Sequence, residues 1–228
     1  MILKPPKGAM LNRGHPLARG LVGCWLMNEG SGSIVNDLSG NGLNGAFSGT
    51  APSWLPGDFG PTVNLPGTDE YIIIPAHSNP RTAITFVMYA KSNQATWPQS
   101  GVLGTKLSAY TLYTTSGTTR VEFYIWIDTV LKTSGYYTLS DITQWHQYVG
   151  TFDGTNLKMY VDGVLQKSSS NPGAIDADAG VLTLGKYDFI ERYLNGQIGY
   201  SFVYNRALSP IEILNLYRSP FCMFEVDL

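Results

Sequence analysis

Short runs of alternating apolar and polar residues, separated by turn signals, dominate the chain. The clearest set lies at residues 145–166, WHQYVGTFDGTNLKMYVDGVLQ. Tyr148 and Phe152 share one face of the first run, and the second run alternates in the same way, which is the period of two expected of strands. Asp162-Gly163 favours a type I′ turn, because glycine adopts positive φ without a Cβ clash. The stretch therefore predicts a three-stranded antiparallel meander.

Similar short runs fill most of the remaining chain and predict an all-β fold. About a dozen short strands, with no repeat at a solenoid or blade period, favour two packed antiparallel sheets. Loops are expected where Gly, Pro, Asn and Ser are dense or where aromatic residues lack a period, at residues 28–45, 51–61, 93–100, 168–180 and 186–194. Further strands are expected at residues 21–27, 62–65, 71–74, 83–90, 101–105, 109–114, 120–128, 129–134, 181–184 and 196–205.

One short helix is expected near the C-terminal end. Ser209 and Glu212 have the spacing of a capping box, and Pro210 occupies the first helical position. Ser219-Pro220 should end the helix, because proline cannot continue it.

The first 20 residues predict an extended N-terminal arm that precedes a single domain at residues 21–228. The arm holds Pro5, Pro6, Pro16 and four basic residues without periodicity. A segment without a core of its own is ordered only where it packs against another part of the structure. For the arm, that part could be its own sandwich or a neighbouring chain. The arm also lacks the apolar stretch of a secretory signal.

Charge and cysteine content exclude several classes of partner and scaffold. The net charge is −2 and no basic patch is visible, so nucleic acid and acidic membranes are poor partners. Two cysteines are too few for a disulfide framework. Cys24 and Cys222 could be bonded if the chain ends meet, and two separate buried thiols is the favoured interpretation.

Several short motifs occur in an order and spacing that resemble one family. They are LVGCW at residues 21–25, NEGSG at 28–32, DLSGNG at 37–42, WH at 145–146, YVDG at 160–163, GQI at 196–198 and YNRALS at 204–209. Together they resemble the laminin-G-like, concanavalin A-like lectin/glucanase family. The resemblance implies a two-sheet antiparallel jelly-roll sandwich with one short C-terminal helix. LNRGHPLARG at residues 11–20 resembles the start of phage-encoded members.

The resemblance also raises the prospect of a structural calcium ion. Relatives often carry Ile-Asp-Glu-Val where this chain has IGYS at residues 198–201, so one acidic pair is missing. Glu29, Asp37 and Asn44 could still supply oxygen ligands. The alternative is that Asp37 and Asn44 are turn residues that bond their own backbone.

Catalysis is not expected, because no two carboxylates combine the spacing of a glycosidase pair with a place on one strand; Asp176 and Asp178 have the spacing alone. Hydrolases of this fold use two carboxylates across the scissile bond, which calls for acidic residues at i and i+2 or i+4 on one strand face. Asp176 and Asp178 lie in a loop, as do Asp188 and Glu191. His146 is expected to be structural.

Surface binding is the better prospect, because loop aromatics can stack on sugar rings. Trp25, Trp126 and Trp145 are expected in the core. The candidate ligand-binding residues are Trp54, Trp97, Tyr136, Tyr137, Tyr187, Phe189 and Tyr193. An exposed aromatic patch could equally contact protein.

Three functions remain open. The preferred one is a non-catalytic, lectin-like protein on the surface of a bacteriophage virion, as a capsid decoration, head-fibre or tail protein. There the arm would bind capsid proteins, the sandwich could bind glycans, and the chain could form homo-oligomers. The second is a carbohydrate-binding module of a secreted or cell-surface protein. The third is a glycoside hydrolase.

Overall fold

A computed structural model describes residues 2–225 and shows an all-β sandwich of two antiparallel sheets with one short helix. The predicted fold class is thereby confirmed. Besides the strands there are a 3₁₀ turn at Pro16–Ala18 and the helix α1 at Pro210–Arg218. The strands are β1 Leu21–Trp25, β2 Ile34–Val35, β3 Gly45–Ser48, β4 Ser53–Gly57, β5 Gly60–Leu65, β6 Tyr71–Ile74, β7 Ile84–Ser92, β8 Gly104–Lys106, β9 Tyr110–Thr114, β10 Arg120–Ile127, β11 Val130–Thr133, β12 Tyr137–Thr138, β13 His146–Phe152, β14 Asn156–Val161, β15 Val164–Ser170, β16 Leu182–Leu184, β17 Lys186–Tyr187, β18 Arg192–Tyr193 and β19 Gly196–Tyr204.

The first sheet has eight strands in the order β15-β14-β13-β7-β19-β5-β4, with β1 also paired to β19. The predicted meander forms β13, β14 and β15. Asp162 and Gly163 connect the last two strands with φ values of 52° and 78°. Positive φ at both central residues is the type I′ geometry that matches the twist of the strands.

The second sheet has nine strands in the order β11-β10-β9-β8-β16-β6-β3-β2, with β12 also paired to β10. Alternation along β10 puts Phe123 and Ile125 into the core, while Glu122, Tyr124 and Trp126 lie on the outer face. β17 and β18 form a separate hairpin after β16.

The main core fills the space between the inner faces of the two sheets. Phe86 of β7 meets Tyr110 of β9 edge-to-face, with ring centroids 5.4 Å apart. Each large side chain buried in this way contributes roughly 1.5–3 kcal/mol to folding. Gly150 shows how tightly the sheets pack, because a Cβ there would lie 2.2 Å from the Phe123 ring.

The outer face of the eight-stranded sheet is covered by the arm, helix α1 and the C-terminal tail. A second core of Tyr89, Tyr200, Phe202, Leu216 and Phe221 lies beneath them. The rings of Tyr89 and Tyr200 stack with centroids 4.9 Å apart.

The N-terminal arm lies on its own sandwich. The Lys4 backbone donates to Phe59 at 2.8 Å, and the Lys4 ammonium reaches the carbonyl oxygens of Met27 and Pro61. Burial lowers the pKa of Lys4 to about 7, although the charge of Glu29 opposes the shift. The arm is thus held by polar contacts of its backbone and of the largely buried Lys4 amino group.

The arm also pairs with the C-terminal tail. Asn12 N donates to Met223 O, and Glu225 N donates to Met10 O, both at 2.9 Å. The two described ends of the chain therefore lie side by side. Even so, Cys24 and Cys222 are free thiols; Cys24 is buried, whereas Cys222 is exposed, contrary to the expectation that both are buried.

The capping box forms as predicted. Glu212 N donates to Ser209 Oγ at 3.4 Å, and Ser209 N donates to Glu212 Oε2 at 2.9 Å. The Glu212 carboxylate also accepts two hydrogen bonds from Arg206, at 3.0 and 2.8 Å. These hydrogen bonds from Arg206 are the main reason that the pKa of Glu212 falls to about 2.

Four predicted loops overlap strands, so those predictions were wrong there; residues 168–180 begin with the end of β15. Residues 51–61 hold β4 and the start of β5, because β4 is an edge strand and tolerates Pro56 without losing a ladder hydrogen bond. Residues 186–194 hold the β17–β18 hairpin, and residues 28–45 include the short β2. Within residues 2–225, no helix is long and apolar enough to cross a membrane.

Candidate functional site

Five aromatic side chains form a connected cluster on the outer face of the nine-stranded sheet. Tyr113 and Tyr124 are stacked with centroids 4.5 Å apart, and Tyr113 meets Tyr187 edge-to-face at 5.6 Å. Tyr187 and Phe189 are 5.3 Å apart, and Phe189 stacks on Trp126 at 5.3 Å. We call this set the aromatic face.

Strand alternation and one close backbone approach position these rings. Tyr113 of β9 and Tyr124 and Trp126 of β10 point outward because their neighbours fill the core. Tyr187 rests on Gly101, where a Cβ would lie 2.6 Å from the Tyr187 ring. Glycine is therefore required at residue 101 for the ring to reach the sheet.

The aromatic face is open at one end. Phe189 is 46% exposed, and Leu131 and Ile190 beside the tips of the neighbouring hairpins are also exposed. Tyr113, Tyr124 and Trp126 are half-buried. Soluble proteins expose contiguous apolar patches mainly where something binds.

Two carboxylates lie on the same side of the sheet, and each is held by protein groups. Glu122 accepts hydrogen bonds from the hydroxyls of Tyr124 at 2.8 Å and Thr133 at 2.6 Å. Burial, followed by the Glu122 contact, raises the pKa of the Tyr124 hydroxyl. The Glu122 carboxylate is thereby fixed beside the rings as a hydrogen-bond acceptor.

Asp188 is held in a comparable way. It accepts from Thr183 at 3.0 Å and lies 3.5 Å from the Lys186 ammonium. Burial raises the pKa of Asp188, and the contacts with Thr183 and Lys186 oppose the shift. The Asp188 carboxylate therefore ties the loop to β16.

The candidate ligand-binding residues predicted from the sequence do not converge on one site. The structure brings together only Tyr187 and Phe189, and Tyr136 is exposed beneath the Arg120 guanidinium. Trp54 lies on an apolar groove of about 350 Å³ with its indole donating to Gly32.

Two of the predicted residues cannot offer a ring to a ligand. Trp97 is 0% exposed and packs on Tyr148, because its loop folds under the β9–β10 turn through two backbone hydrogen bonds with Gly117 and Thr118. Tyr193 is buried against Tyr71. For both residues the expected exposure was wrong.

Sequence reasoning missed three members of the aromatic face. Trp126 was expected in the core, as was Trp145, yet both are half-buried on outer faces. The signal was present in β10, where large side chains occupy both faces of one strand. Such a strand predicts an apolar surface as well as an apolar core.

Two of the three residues proposed for calcium, Asp37 and Asn44, already use their oxygens within the protein. Asp37 Oδ1 accepts from Cys24 N and Ser39 N, and Asp37 Oδ2 accepts from the Ser39 hydroxyl and Leu43 N. Asn44 Oδ1 in turn accepts from Asp37 N. Hydrogen-bond donors thus surround the oxygens that a cation would need.

Glu29 is engaged within the loop through one oxygen: its Oε1 accepts from the backbone and side chain of Asn36, whereas its buried Oε2 has no hydrogen-bond partner in the part of the chain that the structure describes. Among residues 2–225, no cluster of three or more His, Cys, Asp or Glu side chains is placed to hold a metal ion.

His146 has a structural role in this geometry. Its Nδ1 lies 2.6 Å from Asp162 Oδ2 and its Nε2 lies 2.7 Å from Asp141 O. Burial alone would lower the pKa of His146, but the Asp162 and Asp141 contacts raise it above its ordinary value. Both ring nitrogens are engaged, so the ring is not available as a general base.

Comparison with known families decides where the chain belongs. Residues 66–214 match the family model described as the concanavalin A-like lectin/glucanases superfamily. The chain is a member of this superfamily. A search of curated proteins finds no match.

Solved structures with the concanavalin A-like sandwich superpose on most of the chain. The binding domain of botulinum neurotoxin DC, in complex with rat synaptotagmin II, has a TM-score of 0.70 at 12% identity over 89% of this chain. A botulinum neurotoxin type C, whose cell entry depends on two ganglioside molecules, gives 0.70 at 14% identity over 89%. The chain spans about half of these relatives, 52% in each case.

A third similar structure is matched over nearly its whole length. Domain 4 of AbnA, a GH43 extracellular arabinanase from Geobacillus stearothermophilus, was solved in complex with arabinotriose. It has a TM-score of 0.67 at 18% identity, covering 86% of this chain and 98% of that domain. At these identities the likeness establishes the fold alone and does not establish what the aromatic face binds.

Proposed function

We propose that this protein is a non-catalytic, lectin-like module that binds saccharides on the aromatic face. One observation carries the proposal: five rings form a continuous cluster around the open end at Trp126 and Phe189. Sugar rings present apolar C–H faces that pack on aromatic rings, while their hydroxyls need hydrogen-bond acceptors such as Glu122 beside those rings.

The similar structures support binding over catalysis. One is a binding domain in complex with a protein, one belongs to a toxin whose cell entry depends on gangliosides, and one is a domain in complex with arabinotriose. In this chain three of the four carboxylates considered for hydrolysis are held by protein groups, and Asp188 is one of them. Asp176 accepts from the backbone of Asp128 and Thr129, and Asp178 lies 3.3 Å from the buried Lys106 ammonium.

Ring removal tests the proposal. We expect Trp126→Ala and Phe189→Ala to lose most binding to immobilised polysaccharides in affinity electrophoresis, with arabinotriose as the first soluble competitor. Tyr217→Ala is the matched control, because Tyr217 is an exposed aromatic on α1 at the opposite side of the sandwich. Undiminished saccharide binding by a variant that carries both Trp126→Ala and Phe189→Ala would place the saccharide elsewhere and refute this site.

A location on a virus particle is the second part of the proposal. The arm is held to the sandwich through Lys4 and Leu17, while Leu3 and Met10 are 61% and 70% exposed. Apolar side chains that face outward from an otherwise docked segment support contact with another protein, such as a capsid subunit.

Immunogold labelling of particles produced from the encoding genome tests this location. We expect label on intact particles, and less label when the protein carries both Leu3→Ser and Met10→Ser. Label only on secreted, particle-free material would instead favour the carbohydrate-binding module of an extracellular protein.

A further inference from the structure

A cavity of about 250 Å³ opens where the edges of the two sheets meet. Tyr137 of β12 lies on one side, and His146, Asp162 and Gln166 of the β13–β15 meander lie on the other. We call it the edge cavity. It shares no residue with the aromatic face.

The His146–Asp162 pair gives the edge cavity a rigid polar wall. The two hydrogen bonds of the His146 ring fix its orientation, and Asp162 Oδ1 also accepts from Gln147 N at 2.9 Å. Each carboxylate oxygen accepts about two hydrogen bonds. Asp162 therefore keeps acceptor capacity for a ligand hydroxyl while its position is already determined.

Other groups complete a site that is polar on one side and apolar on the other. Leu139 and Val161 are buried core residues that form the apolar lining, beside the half-buried Tyr137 ring. The Ser140 hydroxyl and the Gln166 amide line the cavity, and among residues 2–225 neither side chain makes a hydrogen bond to the protein. Both can donate to and accept from a ligand.

Charge and size narrow the class of ligand. Both ring nitrogens of His146 face acceptors, which calls for a proton on each, and the resulting positive charge offsets the negative charge of Asp162. The pair therefore favours neither a cation nor an anion. Its volume is below the ~300–1,000 Å³ of sites for drug-sized ligands, which favours a single small ring over a chain.

We propose that the edge cavity is a second saccharide site that takes one neutral pyranose or furanose unit, with Tyr137 along its apolar face and Asp162, Ser140 and Gln166 on its hydroxyls. The proposal extends the saccharide binding proposed above but depends on different residues, so the two can fail separately.

Backbone NMR of the full chain tests the site. The protein is titrated with arabinose, galactose, glucose, mannose and N-acetylglucosamine, and with glucosamine and glucuronate as charged analogues. We expect a neutral sugar to shift the amides of residues 139–141 and 162–166. Ser140→Ala and Gln166→Ala should each weaken that binding roughly fivefold, the effect of one lost hydrogen bond. Ser168→Ala, on the same strand, should leave it unchanged.

The outcomes separate the two sites. Shifts confined to the aromatic face, or stronger binding of glucosamine or glucuronate at the edge cavity, overturn this inference and leave the proposed function standing. Shifts at the edge cavity alone support this inference and count against the aromatic face. No shift with any sugar at its solubility limit overturns the inference.

Discussion

Glu212→Gln should destabilise the protein in a way that depends on pH. The Glu212 carboxylate completes the capping box and pairs with both terminal nitrogens of Arg206. These contacts lower its pKa from 4.5 to about 2. Each pKa unit corresponds to about 1.4 kcal/mol, so the ionised side chain contributes up to about 3 kcal/mol to the free energy of unfolding at neutral pH.

The direction of the pH dependence follows from the lowered pKa. The contribution is fully present above the unfolded value of 4.5 and is lost as the pH falls through 4.5 toward 2. At about pH 3 the carboxylate still contributes about 1 kcal/mol to the free energy of unfolding. These values are upper limits, because solvent screens the partly exposed Arg206–Glu212 pair. Urea unfolding of wild type and Glu212→Gln should therefore differ by up to about 3 kcal/mol at about pH 7 and by up to about 1 kcal/mol at about pH 3.

A matched control and a second measurement make this test decisive. Glu191→Gln removes an exposed carboxylate outside the helix and should change stability little. Because Arg206 also donates to Pro16 O and Arg19 O, Glu212→Gln should speed hydrogen exchange in the adjoining arm. An equal stability difference at both pH values would refute the assignment of the effect to the Glu212 charge.

Three further predictions concern the arm, the meander and the aromatic face. The docked Lys4 has a pKa of about 7, below its ordinary value, so docking of the arm releases a proton and should become more stable as the pH rises from about 7 toward 10. Hydrogen exchange of the arm, corrected for intrinsic rates, should show this trend in the wild type, and Lys4→Met should abolish it. The pKa of His146 is raised in the folded protein, so its contribution to the free energy of unfolding is full below about pH 6.5 and is lost as the pH rises through the folded-state pKa. His146→Gln should therefore lower the free energy of unfolding in urea by about 1–2 kcal/mol at about pH 6 and by less at about pH 9. Gly101→Ala should displace Tyr187 and weaken saccharide binding, because a Cβ at residue 101 would collide with the Tyr187 ring. Gly117→Ala is the control: residue 117 has a similar positive φ and open space around it, so the substitution should cost only about 1–2 kcal/mol of stability. Equal saccharide binding by the two variants would contradict the packing argument.

Strand periodicity allowed the sandwich to be predicted, because a half-buried strand must alternate along its length. The meander and the capping box follow from interactions between residues close in sequence, such as Asp162 with Gly163 and Ser209 with Glu212. Such local constraints hold whatever the rest of the chain does.

The candidate site was less predictable, because exposure depends on contacts between distant segments. Trp97 occurs in a polar loop, and only its pairing with the β9–β10 turn shows that it is buried. Trp126 occurs in β10, and its partner Phe189 lies far away in sequence, in the β17–β18 hairpin. Periodicity identifies the two faces of a strand, but it does not say which face another layer covers.

The pairing of residues 10–12 with residues 223–225 has a consequence for orientation. Both described ends emerge from the layer over the eight-stranded sheet, while the stacked rings lie on the far side of the sandwich. A molecule tethered to a support through either end would hold its rings away from that support. A sensor surface that captures the protein by a terminal tag should therefore leave the ring cluster accessible, whereas random coupling through lysines should not orient it.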